Sequence, residues 1–207
     1  MPSRFPNDLL PRPEHPRPDL HRGLRNGLDW LNLNGAWQFE FDPEDKRRAP
    51  GRQQGGEDLS DRIVVPFPWE SHLAWGTEHL AGNENWFNPK AWLDPDSVTP
   101  DSYREAPRHT IGWYQRRVRV PAAWTDKRVF LNIGAADWRV SAWVNGSQVG
   151  EAESGYIPLS FDITDALSRD DDLVTIRVED PEENSRQLIG KQVSNWYTST
   201  SGIWQTV

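Results

Sequence analysis

Cleaving a glycosidic bond requires two carboxylates that face each other across the scissile linkage. The chain has 31 Asp and Glu residues, so some pair lies close by chance and placement decides which could act. None ends a buried parallel strand at a pocket-forming loop. Asn83-Glu84 has the right residue types for an acid/base position, yet it sits in a Gly-rich loop with no apolar strand before it. The five histidines (His15, His21, His72, His79, His109) include no i, i+4 pair flanking a Glu, so there is no zinc signature and surface positions are expected. Ser154-Gly155 and Ser201-Gly202 lack the flanking pattern of a nucleophile elbow, and no glycine-rich phosphate loop is present. With no cysteine, thiolate nucleophiles, disulfides and Cys-type metal sites are excluded together. The expectation is a chain with no catalytic residue, metal ligand or cofactor site of its own.

Aromatic residues carry the remaining chemistry. The 12 Trp, 7 Phe and 4 Tyr supply large buriable surfaces in an otherwise polar chain. An exposed indole face can stack on the C–H face of a pyranose ring; a buried one fills a core. Trp37, Trp113 and Trp138 lie in strand-like stretches, which favours the core. Trp86, Trp92 and Trp196 lie in loop-like stretches, where sugar stacking and contact with another domain compete.

The formal charge of -8 repels phosphate backbones and anionic membrane surfaces, so nucleic acid and lipid are poor partners. No apolar run approaches the roughly 20 residues that cross a bilayer. Residues 1–29 read as an extended, proline-rich lead-in without the apolar stretch of a signal peptide, and a cytoplasmic location is expected.

Short strands and turns position these residues. Trp37, Phe39 and Phe41 alternate with Gln38 and Glu40, the pattern of a half-buried strand. A charged, Gly-rich loop follows over 42–61, then Ile63-Val64-Val65 stops at Pro66. The irregular stretch 70–110 carries Trp75, Trp86, Phe87 and Trp92, an aromatic load that favours function or docking. From there alternation resumes. Tyr114, Arg116, Val118 and Val120 share one face of a strand. Val129, Leu131 and Ile133 share another, as do Trp138, Val140, Ala142 and Val144. Asn145-Gly146 tolerates the positive φ of a type I′ hairpin turn. Leu159–Phe161 is a short strand, Thr164 is placed to cap one helical turn over 165–167, and Val174, Ile176 and Val178 point inward. A last strand begins at Gly202 and is interrupted at Val207, which predicts an unpaired edge and incomplete burial of Ile203, Trp204 and Val207. Strands at hairpin spacing with no βαβ unit describe one all-β domain, an antiparallel β-sandwich or jelly roll.

Several ordered blocks then carry a resemblance. They are Leu33-Asn34-Gly35-Ala36-Trp37, Val65-Pro66-Phe67-Pro68-Trp69-Glu70, Trp113-Tyr114-Gln115-Arg116-Arg117 and Gly134-Ala135-Ala136-Asp137-Trp138. Trp143-Val144-Asn145-Gly146, Gly155-Tyr156-Ile157-Pro158, Phe161-Asp162-Ile163-Thr164, Gly190-Lys191-Gln192 and Ser201-Gly202-Ile203-Trp204 follow. Over residues 30–207 this series resembles the N-terminal sugar-binding domain of family 2 glycoside hydrolases, the family of β-galactosidases, β-glucuronidases and β-mannosidases. The resemblance implies a galactose-binding-like jelly roll, followed in the parent enzyme by an immunoglobulin-like domain and a TIM barrel holding two catalytic glutamates. It also implies a β-glycoside as carbohydrate partner, with homo-oligomers a further possibility. Where some members carry an acidic residue shortly before the Gly-Ile pair, this chain has Trp196-Tyr197, so no substrate-binding acid is carried over. Gln192, Trp196 and Tyr197 are the candidates for facing the active site, by loop position alone. A free carbohydrate-binding module and a structural jelly roll that binds no sugar are the rival readings.

Overall fold

The computed structural model describes residues 29–46, 59–71, 74, 110–181, 187, 192 and 200–207. Among the described residues ten strands form in chain order. They are β1 (Gly35–Phe41), β2 (Asp61–Val65), β3 (Ile111–Val118), β4 (Phe130–Ile133) and β5 (Ala136–Asp137), then β6 (Arg139–Val144), β7 (Ser147–Glu153), β8 (Leu159–Asp162), β9 (Asp172–Glu179) and β10 (Gly202–Ile203). Six pair antiparallel in the order β2-β1-β3-β9-β6-β7; β4 pairs with β8 and β10 with β5 in two smaller ladders. This is the antiparallel sandwich the alternation anticipates.

The core lies on one face of the large sheet. Trp37 and Phe39 of β1, Ile63 and Val65 of β2, Tyr114 of β3, Val140, Ala142 and Val144 of β6, and Val174, Ile176 and Val178 of β9 meet Leu131 and Ile133 of β4 and Leu159 and Phe161 of β8 in one buried cluster. β-branched and aromatic side chains at every second position suit the pleated, half-buried surface they occupy. Trp37, Trp113 and Trp138 are all buried, as expected for strand tryptophans.

The opposite faces of β3, β6 and β9 do not meet water either. Trp113, Gln115, Ser141, Trp143, Thr175 and Arg177 are buried there as well. These strands hold the middle of the sheet, where β9 pairs with β3 along its whole length and with β6 beyond it. Leu59, Ile111, Trp113 and Trp143 make a second apolar cluster on that face, with the two indoles stacked at 5.4 Å. Buried Arg177 is satisfied by a two-pronged contact to Asp45, Nε to Oδ1 and Nη2 to Oδ2 both at 2.9 Å, and by Glu179 at 2.8 Å.

The Asn145-Gly146 turn forms, with φ of 51° and 82°, and the returning strand β7 runs to Glu153. Asn145 also ties the turn to β9: its Nδ2 donates to Asp172 Oδ1 at 2.7 Å and its Oδ1 accepts from the Leu173 N–H at 2.9 Å. Two expectations fail. Thr164 opens a 3₁₀ turn over Thr164–Ala166 instead of capping it, because its hydroxyl is drawn to Asp162 and accepts from the Val129 N–H. The final stretch is not left open. Only Gly202 and Ile203 join a ladder, with β5, yet the Leu33 N–H donates to Val207 O at 2.8 Å and the Gly134 N–H to Thr206 O at 2.7 Å. Ile203, Thr206 and Val207 are buried and Trp204 is half-buried, so backbone pairing around the Asn34 side chain replaces the exposed edge expected for this stretch.

Candidate functional site

Glycine 202 sets the geometry of one corner of the sandwich. Its φ is +82°, and a Cβ there would lie 2.2 Å from Trp69 Nε1 and 2.5 Å from the Tyr114 hydroxyl. Only glycine fits both the left-handed backbone and the space. The Tyr114 oxygen accepts from Trp69 Nε1 at 2.6 Å and from the Ile203 N–H at 3.2 Å; burial pushes this phenol far up, so it stays neutral. Just before it, the Ser201 N–H and hydroxyl donate to the two oxygens of Glu70, at 3.0 and 2.6 Å. Burial raises the Glu70 carboxyl, and these two bonds oppose the rise.

Across β10 stands Asp137, paired with Gly202 in the ladder and only 3% exposed. Its Oδ1 accepts from Gln187 Nε2 at 3.1 Å, and the same amide nitrogen donates to Asp180 Oδ1 at 2.7 Å. Burial is the main force on Asp137, the charges of Asp180 and Glu70 add to it, and Gln187 opposes them. The carboxyl is pushed up to about 7.

Gly155, between β7 and β8, leaves space for that carboxyl, since a Cβ would sit 2.8 Å from Asp137 Oδ1. The Gly155 carbonyl accepts from Trp204 Nε1 at 2.9 Å. Ser154 braces the loop: its N–H donates to Trp138 O, and its Oγ accepts from the Ile157 N–H at 3.2 Å. Tyr156 therefore stands on a fixed backbone with its ring edge towards Trp204 at 6.3 Å. It is 50% exposed and Ile157 is 60% exposed. Gln192 joins the two sides of the corner: its Nε2 donates to the Tyr156 hydroxyl at 2.6 Å, and its Oε1 accepts from the Thr200 N–H at 2.6 Å.

The chemistry this offers is recognition. An outward aromatic ring, an apolar neighbour and a side-chain amide suit a sugar ring, whose C–H face stacks and whose hydroxyls hydrogen bond. Glu70 and Asp137 are engaged inward, by Ser201 and Gln187 respectively. Among the described residues no group of three or more His, Cys, Asp or Glu is placed to hold a metal ion, and no helix is long and apolar enough to cross a membrane.

Of the sequence candidates, Gln192 falls in this corner. Trp196 and Tyr197 lie outside the described residues, as do Trp86, Trp92, Asn83-Glu84 and the five histidines. Sequence reasoning assigned no role to Asp137, Tyr156, Gln187 or Trp204. A signal existed for Asp137, because an aspartate between Ala136 and Trp138 at the mouth of a buried strand must find a partner or a proton.

Comparison with known proteins decides the family. Residues 31–207 match the family described as glycosyl hydrolases family 2, sugar binding domain. The chain belongs to that family. Among curated relatives of this family 2 domain, it is 28% identical to the β-glucuronidase of Paenibacillus borealis, over 84% of this chain and 23% of the relative. It is 27% identical to the β-galactosidase large subunit of Lactobacillus helveticus, over 71% of this chain and 24% of that protein. It is 35% identical to the human β-glucuronidase, over 65% of this chain and 18% of that protein. The chain thus spans less than a quarter of the length of each. Among solved structures, the Bacteroides uniformis β-glucuronidase superposes with a TM-score of 0.57 at 23% identity, over 85% of this chain and 17% of that one. That likeness shows the fold.

Proposed function

We propose that this family 2 domain is the sugar-facing accessory part of a retaining β-glycosidase, whose two catalytic carboxylates stand on another domain. The observation that carries the reading is the braced corner: Tyr156 exposed on a fixed loop, backed by Trp204 and held by Gln192. Two supports stand beside it. The relatives carrying this domain are β-glucuronidases and β-galactosidases in which the matching stretch is less than a quarter of the length. Retention requires two carboxylates about 5–5.5 Å apart and open to substrate, whereas Glu70 and Asp137 are engaged inward. In this reading the parent enzyme adds an immunoglobulin-like domain and a TIM barrel, forms homo-oligomers, and acts on a β-linked carbohydrate. Gln192, Trp196 and Tyr197 face the barrel's active site, with Tyr156 at its rim.

The test uses the enzyme encoded by the whole gene, assayed on aryl β-galactosides, β-glucuronides and β-mannosides. Hydrolysis with retained anomeric configuration is expected, and an inactive or inverting product would defeat the reading. Tyr156→Ala and Gln192→Ala should raise KM severalfold while kcat changes little; an unchanged KM removes the corner from the site. The 207-residue chain alone should show no turnover. Turnover that disappears in Glu84→Gln would instead place catalysis within this domain.

A further inference from the structure

The corner described above contains an imbalance. Gln187 Nε2 serves two carboxylates, Asp137 and Asp180, while Gln187 Oε1 is buried without a hydrogen-bond partner. Turning the amide over would aim its oxygen at both carboxylates, so its orientation is fixed by charge. An unmet buried acceptor costs roughly 1–3 kcal/mol, and Asp137, already bonded to the same amide, can supply the donor when it holds a proton.

The geometry points to a closed acid–amide pair: Asp137 is a neutral carboxylic acid whose Oδ2–H donates to Gln187 Oε1 while Gln187 Nε2–H donates to Asp137 Oδ1, forming a proton-dependent clasp between β5 and the stretch that leads to β10. A protonated carboxyl presents one donor and one acceptor, the complement of a primary amide. When Asp137 ionises, its proton passes to solvent, Gln187 Oε1 loses its donor, and one of the two bonds is gone.

Among the described residues, burial and two neighbouring acids favour the neutral form. Asp180, at the end of β9, and Glu70, after β2, are both acidic, and both oppose charge on Asp137. From β9 itself Glu179 presents its backbone O to the Trp138 N–H, while its carboxylate is held by Arg177 and Arg139. The β7–β8 loop offers Gly155 and the Tyr156 phenol, itself raised by burial and by the Asp137 charge. β10 contributes glycine at the paired position. Asp137 titrating at about 7 places the change in the physiological range. The consequence is reach: Gln187 precedes Gln192, the residue that holds Tyr156 and Thr200, in the same connection. Above neutral pH that connection loses one of its ties to the sandwich.

The test is carbon-13 NMR of the side-chain carboxyls of the whole chain between pH 4 and 9, with the Gln187 side-chain amide followed in parallel. The Asp137 carboxyl should titrate near neutrality and the Gln187 amide should shift with the same midpoint. In Asp137→Asn, whose amide can keep a closed pair with Gln187, that shift should vanish. The melting temperature of the parent should fall relative to this variant as pH rises from about 4 to about 7 and level off above, because the unfolded chain ionises Asp137 from 3.8 upward while the folded chain keeps its proton up to about 7. An Asp137 midpoint near the ordinary 3.8, or a Gln187 amide that ignores it, overturns the clasp. Should Asp137→Asn not fold, Gln187→Leu decides: the Asp137 midpoint should move by about one unit, tenfold in the ionisation constant, and an unmoved midpoint also overturns it.

Discussion

Replacing Gly202 by alanine tests the corner as a whole. Two costs follow from its geometry. The backbone at φ +82° is strained for any residue with a Cβ, by roughly 1–2 kcal/mol. The methyl group would also overlap Trp69 Nε1 and the Tyr114 oxygen, and relief must come from parting that buried pair. Losing the Trp69-to-Tyr114 bond strands a buried N–H, at about 1–3 kcal/mol. Together these give about 3 kcal/mol, and for a domain of this size that lowers the melting temperature by roughly 6–12 °C. Urea denaturation followed by circular dichroism gives the free energy, and calorimetry gives the temperature. The two causes separate in a double-mutant cycle with Tyr114→Phe. Removing the hydroxyl takes away the atom 2.5 Å from the new methyl, so Gly202→Ala should cost less by about 1 kcal/mol in that background. A loss under about 1 kcal/mol for Gly202→Ala alone would refute both the strain and the crowding arguments, and strict additivity with Tyr114→Phe would refute the crowding.

Other perturbations have equally definite outcomes. Gly146→Val, at φ 82°, should destabilise the hairpin by roughly 1 kcal/mol or more, read as a shift in the urea midpoint. Asp45→Ala leaves buried Arg177 with its ion pair to Glu179; about 2 kcal/mol should be lost, below the 3–5 kcal/mol of fully buried pairs because Asp45 is a quarter exposed. Burial alone would raise Asp172, but bonds from Asn145, Ser168 and Arg169 outweigh it and hold the carboxyl below its ordinary value of 3.8. Its contribution is therefore complete above that value and is lost as pH falls below it. Acid unfolding of Asp172→Asn should begin from a lower stability at pH 7 and show a shallower pH dependence than the parent.

How much of this was legible in the sequence varies with the kind of signal. Period-two alternation located β1, β6 and β9 because one face of each strand is apolar, and Asn145-Gly146 marked its hairpin because few other dipeptides adopt two positive φ angles in a row. The second buried face was harder to read. Arg177, Thr175 and Ser141 are polar, and nothing local to them signals that the chain later brings Asp45 to the guanidinium. The final stretch was misread for the same reason: Val207 is buried through Leu33 and Asn34, partners far away along the chain. At the site, Gln192 was located by its place in an ordered series of blocks, while the Asp137–Gln187 contact spans 50 positions and leaves no trace in spacing or periodicity.

The stacked indoles of Trp113 and Trp143, 5.4 Å apart and inclined at 30°, have an optical consequence. They belong to β3 and β6, which flank β9 without touching each other in the ladder order. Two chromophores at that spacing couple their electronic transitions, and the resulting split circular-dichroism band depends on distance and mutual angle. The band therefore exists only while three central strands hold their lateral order, whatever the backbone signal does. Removing either indole should abolish it and leave the spectrum of the remaining eleven tryptophans. This domain carries its own gauge of sheet integrity, one that distinguishes a loosened sandwich from an intact one in solution without any added label.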